Sequence, residues 1–356
     1  MSDPIGAHGR RDGRSPRRFH SRRRPREGDR DRDGPLYGAL DLGTNNCRLL
    51  IARPSRDSFR VVDSFSRIVR LGEGLSRTGQ LDPAAMDRAY DALASCAERL
   101  IRRDIGSDRL SAVATQACRG AENGQRFLER VESGTGLRLR VIAPDEEARL
   151  SVAGCLNLFE REAPAVLVID VGGGSTEFSW LEQRAGRFHT VGWMSAPVGV
   201  VTLAERHPEP ESGLLLWYEG MVADVSEAMR VVTPPQVEAM RGYFDAGVAH
   251  TIGTSGAITS LAGVHLGLPR YRRDLVDGLW MTRRDCEIAA ARLVAMGPEG
   301  RAAEPCIGPE RADLVLAGAA ILEAVQRAWP SERVRVADRG LREGLLLERM
   351  RADRRG

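Results

Sequence analysis

Two short segments carry the residue types from which a phosphate and cation site is built. In Leu40-Asp41-Leu42-Gly43-Thr44-Asn45-Asn46 and in Ile169-Asp170-Val171-Gly172-Gly173-Gly174-Ser175-Thr176-Glu177, an apolar run ends on an aspartate and turns through glycine and small polar residues. Such a turn sets a carboxylate beside a row of free backbone N–H groups. Those groups can bind phosphate oxygens, glycine lets the oxygens come close, and the carboxylate can hold Mg2+ directly or through water. A single Asp-x-Gly turn says little, because Asp-Gly turns are common. Three glycines after a buried strand say more, since their backbone entropy is lost for nothing unless a close approach requires them. Two such turns about 130 residues apart would clamp a phosphate chain from both sides.

Composition removes competing chemistries. All 52 basic side chains among the 356 residues are arginine. Without lysine there is no Walker A loop, Schiff base or pyridoxal site. The six cysteines stand singly with no CxxC pair, and the six histidines form no HxH or HExxH pair. That pattern disfavours zinc and iron–sulfur sites and favours a hard, oxygen-ligated ion. Reduced thiols in a cytoplasmic setting are the plain expectation. No apolar run reaches the roughly 18 residues a membrane span needs, so a soluble protein without a membrane partner is expected.

Strands and helices must position these turns. Residues 36–41 and 47–52 read as a hairpin around the first turn. Asp82 and Pro83 read as cap and first residue of a helix, with Met86, Tyr90, Leu93, Ala97, Leu100 and Ile101 at helical spacing. Strands over 110–115 and 137–142 alternate with helices over 122–132 and 146–159, the signature of a layered α/β domain. After Glu160-Arg161-Glu162-Ala163-Pro164 the pattern restarts with a strand over 165–170 and a return strand from Glu177. The length suits two cores. The expected organisation is a disordered tail over 1–35, one domain over 36–162 and a second over 163–337. The tail holds eleven arginines and six acidic residues, so it supplies +5 of a net +3 and leaves about −2 for residues 36–356. Its Arg17-Arg18 and Arg22-Arg23-Arg24 runs lack a following apolar stretch, which speaks against export. The body is no basic platform, and no specific nucleic-acid partner is expected.

Taken together, the motifs resemble the acetate kinase, Hsp70 and actin superfold and, within it, the exopolyphosphatase and guanosine pentaphosphate phosphohydrolase (Ppx/GppA) family. The resemblance spans residues 36–350. It rests on residues 40–45, on Ala114-Thr115-Gln116-Ala117-Cys118-Arg119 with Asn123, and on Pro144-Asp145-Glu146-Glu147-Ala148-Arg149. Residues 170–177, Ile252-Gly253-Thr254-Ser255-Gly256-Ala257-Ile258-Thr259, Arg311-Ala312-Asp313 and Asp338-Arg339-Gly340-Leu341-Arg342-Glu343-Gly344 complete it. It implies two actin-like, ribonuclease H-like domains flanking a phosphate-binding cleft, with the helix over 338–353 packing back on the first.

The resemblance also implies roles. Glu147 matches the catalytic glutamate, placed to deprotonate a water for in-line attack on a terminal phosphorus. On the residues alone, Asp145, Glu146 and Glu147 would equally complement a helix dipole. Arg119 matches an arginine near the scissile phosphate. Asp41, Asp170 and Glu177 match the acidic positions around Mg2+. Thr44, Asn45, Gly172, Gly173, Gly174 and Ser175 would bind phosphate, and Arg67 and Arg70 are weaker candidates for holding the polyanion. Gln116 departs from the glutamate of some relatives, and the sequence stops soon after Met350, where longer members continue into helical C-terminal domains.

The implied reaction is release of terminal orthophosphate from polyphosphate or guanosine pentaphosphate. Polyphosphate is favoured because no run of residues announces guanine recognition. A sugar or acetate kinase would fit the superfold, although Gly253-Thr254-Ser255-Gly256 only partly matches an adenosine loop. A non-catalytic sensor of polyphosphate or alarmone is the reading outside enzymes. A homodimer is expected, since such a cleft can extend across a two-fold interface.

Overall fold

The computed structural model describes residues 34–56 and 58–354, so the expected tail over 1–35 lies, but for its last two residues, outside the described residues. Two sheets organise the rest. The first holds β1 (Tyr37–Leu42), β2 (Asn46–Pro54), β3 (Phe59–Ile68), β4 (Leu110–Ala114) and β5 (Arg140–Val141) in the order β3-β2-β1-β4-β5. The second holds β6 (Ala165–Val171), β7 (Thr176–Arg184), β8 (Arg187–Ala196), β9 (His250–Thr254), β10 (Trp280–Thr282) and β11 (Arg333–Ala337) in the order β8-β7-β6-β9-β11-β10. In each, the first three strands form an antiparallel meander, and the next two join parallel to the first. Strand β10 is an antiparallel addition at one edge. The repeat read in the two Asp-Gly turns is thus a repeat of whole sheets. Strands β1 and β6 lie mid-sheet and are buried along nearly their full length, which is why both read as unbroken apolar runs.

Around the first sheet lie α1 (Pro83–Arg102), α2 (Gln116–Gly120) and α3 (Gly124–Thr135), and α4 (Pro144–Cys155) leads from it to pack Val152 and Cys155 against Val166 and Val168 of the second. Around the second lie α5 (Val200–Arg206), α6 (Leu214–Val232), α7 (Gly256–His265), α8 (Arg283–Ala303, kinked at Gly297-Pro298) and α9 (Val315–Ala328). The Asp82 side chain accepts the Ala85 N–H at 3.0 Å, and Pro83 opens α1 as expected. Ile101, counted with the core stripe, is 76% exposed. It follows buried Leu100 by one step of roughly 100°, which carries it off the buried face. The strand expected over 137–142 contracts to two residues, and the helix expected over 146–159 runs from Pro144 to Cys155 before a 3-10 turn at Leu156–Leu158.

The last helix, α10 (Leu341–Asp353), lies against α4 and the first sheet. Leu341, Leu345, Leu346 and Met350 share one cluster with Tyr37, Ala39, Leu50, Val113 and Leu150. Close contact depends on glycine. A Cβ on Gly344 would stand 2.1 Å from the Leu150 carbonyl oxygen, and one on Gly154 2.0 Å from that of Gly340.

Candidate functional site

The C-terminal ends of β1 and β6 bring both Asp-Gly turns to one cleft, which encloses about 1100 Å³, part of it open to solvent. Asp41, Thr44, Asn45, Glu147, Asp170, Gly172, Gly173, Gly174 and Ser175 all line it. The turns touch. A Cβ on Gly173 would lie 2.8 Å from Thr44 Cβ, and one on Gly174 2.2 Å from Gln116 Oε1. The triple glycine therefore serves an approach of one loop to the other. Gln116 sits at that junction, where its Oε1 accepts the Thr44 hydroxyl at 3.0 Å. The amides of Thr44, Gly173 and Gly174 donate to no protein acceptor among the described residues, so they are available to an anion.

Glu147 sits in the first turn of α4 and is 9% exposed, while Asp145 is exposed and Glu146 pairs outward with Arg140 at 2.6 and 2.7 Å. The dipole reading thus suits its two neighbours and not Glu147, which turns inward. Arg119 stands behind it, donating from Nη1 to the Ile142 carbonyl at 2.7 Å and to Glu147 Oε2 at 3.4 Å. Glu177 is also behind the lining and accepts the hydroxyls of Ser175 and Ser195, both at 2.7 Å. Asp170 accepts the hydroxyl of Ser151. Asp41 Oδ1 is buried and has no partner.

Crowding these acids in a buried space raises their affinity for protons. Burial first, then Glu177, Asp170 and Asp41, pushes Glu147 up to about 9 against the pull of Arg119. Burial and Asp170 push Glu177 up to about 7, opposed by its two serine partners. Burial pushes Asp41 up to about 6, opposed by Arg48 and Arg342, and raises Asp170 as well. Among the described residues no three His, Cys, Asp or Glu side chains form a group that could hold a metal ion. The unpartnered Asp41 oxygen and the neighbouring Asp170 suit a hydrated ion rather than a closed cage.

Four arginines in the cleft were not anticipated as site residues: Arg48, Arg311, Arg342 and Arg339, the last of which donates from Nε to Asp277 at 3.0 Å. Arg48 is half-buried, and its pKa is lowered by partial removal from water and by Arg342, with Arg311 adding to the effect and Asp41 opposing it. Arg48 could have been found. Counting outward from the turn of the first hairpin pairs Leu42 with Cys47 and Asp41 with Arg48, as the ladder does. Arg311 and Arg342 lie in two of the motifs that carry the resemblance, but nothing local assigns either of them a role in the cleft. Of the weaker candidates, Arg70 is paired with Asp313 at 2.8 Å and Arg67 lies over the Phe65 ring, 5.3 Å from its centroid. Neither lines the cleft.

The family model described as Ppx/GppA phosphatase family matches residues 50–353. A guanosine-5'-triphosphate,3'-diphosphate pyrophosphatase of Photobacterium profundum is 30% identical over 322 residues, which cover 90% of this chain and 61% of that protein. The chain thus spans less than two thirds of that relative. Exopolyphosphatase 2 of Mycobacterium tuberculosis is 32% identical over 301 residues, covering 81% of this chain and 89% of that one. Among solved structures, the Aquifex aeolicus member of the Ppx/GppA family aligns with a TM-score of 0.70 and 26% identity over 90% of this chain and 98% of its own. An exopolyphosphatase from Cytophaga hutchinsonii shares the fold with a TM-score of 0.75 at 23% identity, over 89% and 98% of the two chains.

Proposed function

Because this chain belongs to the Ppx/GppA phosphatase family, we propose that it is a phosphohydrolase that releases terminal orthophosphate from inorganic polyphosphate. The observation that carries the reading is the inward-facing carboxyl of Glu147 beside two loops with free amides. The terminal phosphate would rest on the amides of Thr44, Gly173 and Gly174, and the chain behind it would run along Arg48, Arg311 and Arg342. Glu147 would orient a water and take its proton as the water oxygen bonds to phosphorus. The bridging P–O bond then breaks, and its electron pair leaves with the shortened chain. Arg119 would hold Glu147 in place.

With its protein neighbours alone, Glu147 keeps its proton at neutral pH. Positive charge arriving with the substrate is therefore part of the proposal. Mg2+ held by Asp41 and Asp170 through water, with Glu177 behind them, would neutralise phosphate oxygens and favour ionised Glu147. The six free, buried cysteines support a reducing, cytoplasmic setting, and no helix among the described residues is long and apolar enough to cross a membrane.

The match to a relative of similar length favours polyphosphate. A second substrate, guanosine pentaphosphate, is favoured by a recess beyond the arginines that Phe65, Tyr271 and Ile307 help to line. Phosphate release from both compounds with Mg2+, in the wild type and in Glu147→Gln, tests the reading. Binding of either compound without release by the wild type would favour a sensor instead.

A further inference from the structure

One segment outside the cleft touches both halves. Residues 69–78 follow β3, and their main chain is tied to the first phosphate loop. The N–H groups of Val69 and Arg70 both donate to the Asn45 carbonyl, at 2.8 and 3.1 Å, and that of Gly72 donates to the Thr44 carbonyl at 2.9 Å. The side-chain ties go the other way. Arg70 donates from Nη1 and Nη2 to the two carboxylate oxygens of Asp313 at 2.8 and 2.9 Å, and from Nη2 to the Glu310 carbonyl at 3.0 Å. Glu205 accepts the Gly74 N–H at 2.7 Å and the Ser76 hydroxyl at 2.8 Å. Glu205 belongs to α5, whose first amides, Val200 and Val201, donate to the carbonyls of Gly172 and Gly173 at 3.0 and 2.8 Å. Asp313 follows cleft-lining Arg311 by two residues. A continuous set of hydrogen bonds thus joins the Thr44-Asn45 loop to the Gly172-Gly173 loop without passing through the cleft.

We infer that residues 69–78 are a clasp that registers the two phosphate loops against each other and sets how closed the cleft stands. Arg70, Asp313 and Glu205 are its positioning residues. The backbone supports this. Arg70 sits at φ 47°, a left-handed conformation uncommon for a residue with a Cβ and held here by its contacts on both sides. The ties are partly exposed, with 29% of the Arg70 side chain and 51% of the Asp313 side chain accessible, so each is modest and the clasp can release. When it does, only the closed fraction of molecules presents both loops to one phosphate, and apparent affinity falls by that fraction. Bound phosphate bridges the loops itself, so saturated turnover is unaffected.

The kinetic half of the test rests on the proposed hydrolysis, and the scattering half does not. Arg70→Met, Asp313→Ala and the double variant are compared with the wild type by small-angle X-ray scattering without ligand and by phosphate release from polyphosphate. The clasp predicts a larger radius of gyration in each variant and a KM raised roughly three- to tenfold with kcat kept. The double variant should be no worse than either single one, because both remove the same tie. Glu205→Gln, at an exposed position, should move both readouts in the same direction. Unchanged scattering and KM, or single effects that add in the double variant, would overturn the clasp. If the wild type releases no phosphate at all, the hydrolytic reading fails, while the scattering arm still decides the clasp.

Discussion

Replacing Glu147 by glutamine should make the protein inactive and, above pH 5, more stable. The carboxyl is 9% exposed and is moved from an ordinary 4.5 to about 9 by burial and by three neighbouring acids. A group whose folded pKa lies above its unfolded one contributes its full stability below the unfolded value and loses it as pH rises towards the folded one. The wild type should therefore lose stability between pH 4.5 and about 9. At pH 7.5 the folded chain retains a proton that the unfolded chain has given up over three pH units. That costs at most about 4 kcal/mol at 1.4 kcal/mol per unit. Glu177 and Asp170 share the strain and would relax, so a gain of about 1–3 kcal/mol is the working figure for Glu147→Gln. The amide keeps the shape and the acceptor facing Arg119 without having to take up a proton on folding. Thermal melts of both proteins from pH 5 to 9 without divalent cation should diverge as pH rises, and phosphate release should fall by about 10²–10⁴. Parallel melting curves would refute the account of the acid cluster. Activity within tenfold of wild type would refute the role of Glu147.

Other expectations are narrower. Gly344→Ala forces a Cβ to 2.1 Å from the Leu150 carbonyl, so denaturant unfolding should show a loss of about 1–3 kcal/mol, while a silent substitution would mean α10 is loosely held. Arg48→Met removes a half-buried arginine that lines the cleft. KM for polyphosphate should rise about tenfold or more, and its rise with salt should flatten relative to the wild type. Asp41→Asn removes the acid with the unpartnered oxygen. The Mg2+ concentration for half-maximal rate should rise, and an unchanged value would move the ion elsewhere.

Both Asp-Gly turns, the strand–helix alternation and the cap of α1 were legible because each rests on local chemistry: a turn needs glycine, a buried strand needs an apolar run, a cap needs a short acceptor. Glu147 was legible only through resemblance. Three acids in one helical turn look alike until packing turns one inward. Strand β3 escaped notice because it is an edge strand with mixed burial, so its ten residues show neither alternation nor a continuous apolar run. Two-residue β5 carries too little pattern to be bounded. Ser151 and Ser195, which hold Asp170 and Glu177, come from α4 and β8, and nothing local marks either as a partner of an acid.

The return of α10 to the first sheet has a consequence for how the chain is made. The core containing Tyr37, Ala39 and Leu50 is completed only by Leu341, Leu345, Leu346 and Met350. The second sheet, from Ala165 to Ala337, is contiguous and can assemble as soon as it emerges. Synthesis therefore finishes the second half of the protein before the first. That N-terminal apolar surface stays unsealed until residues 341–350 have emerged.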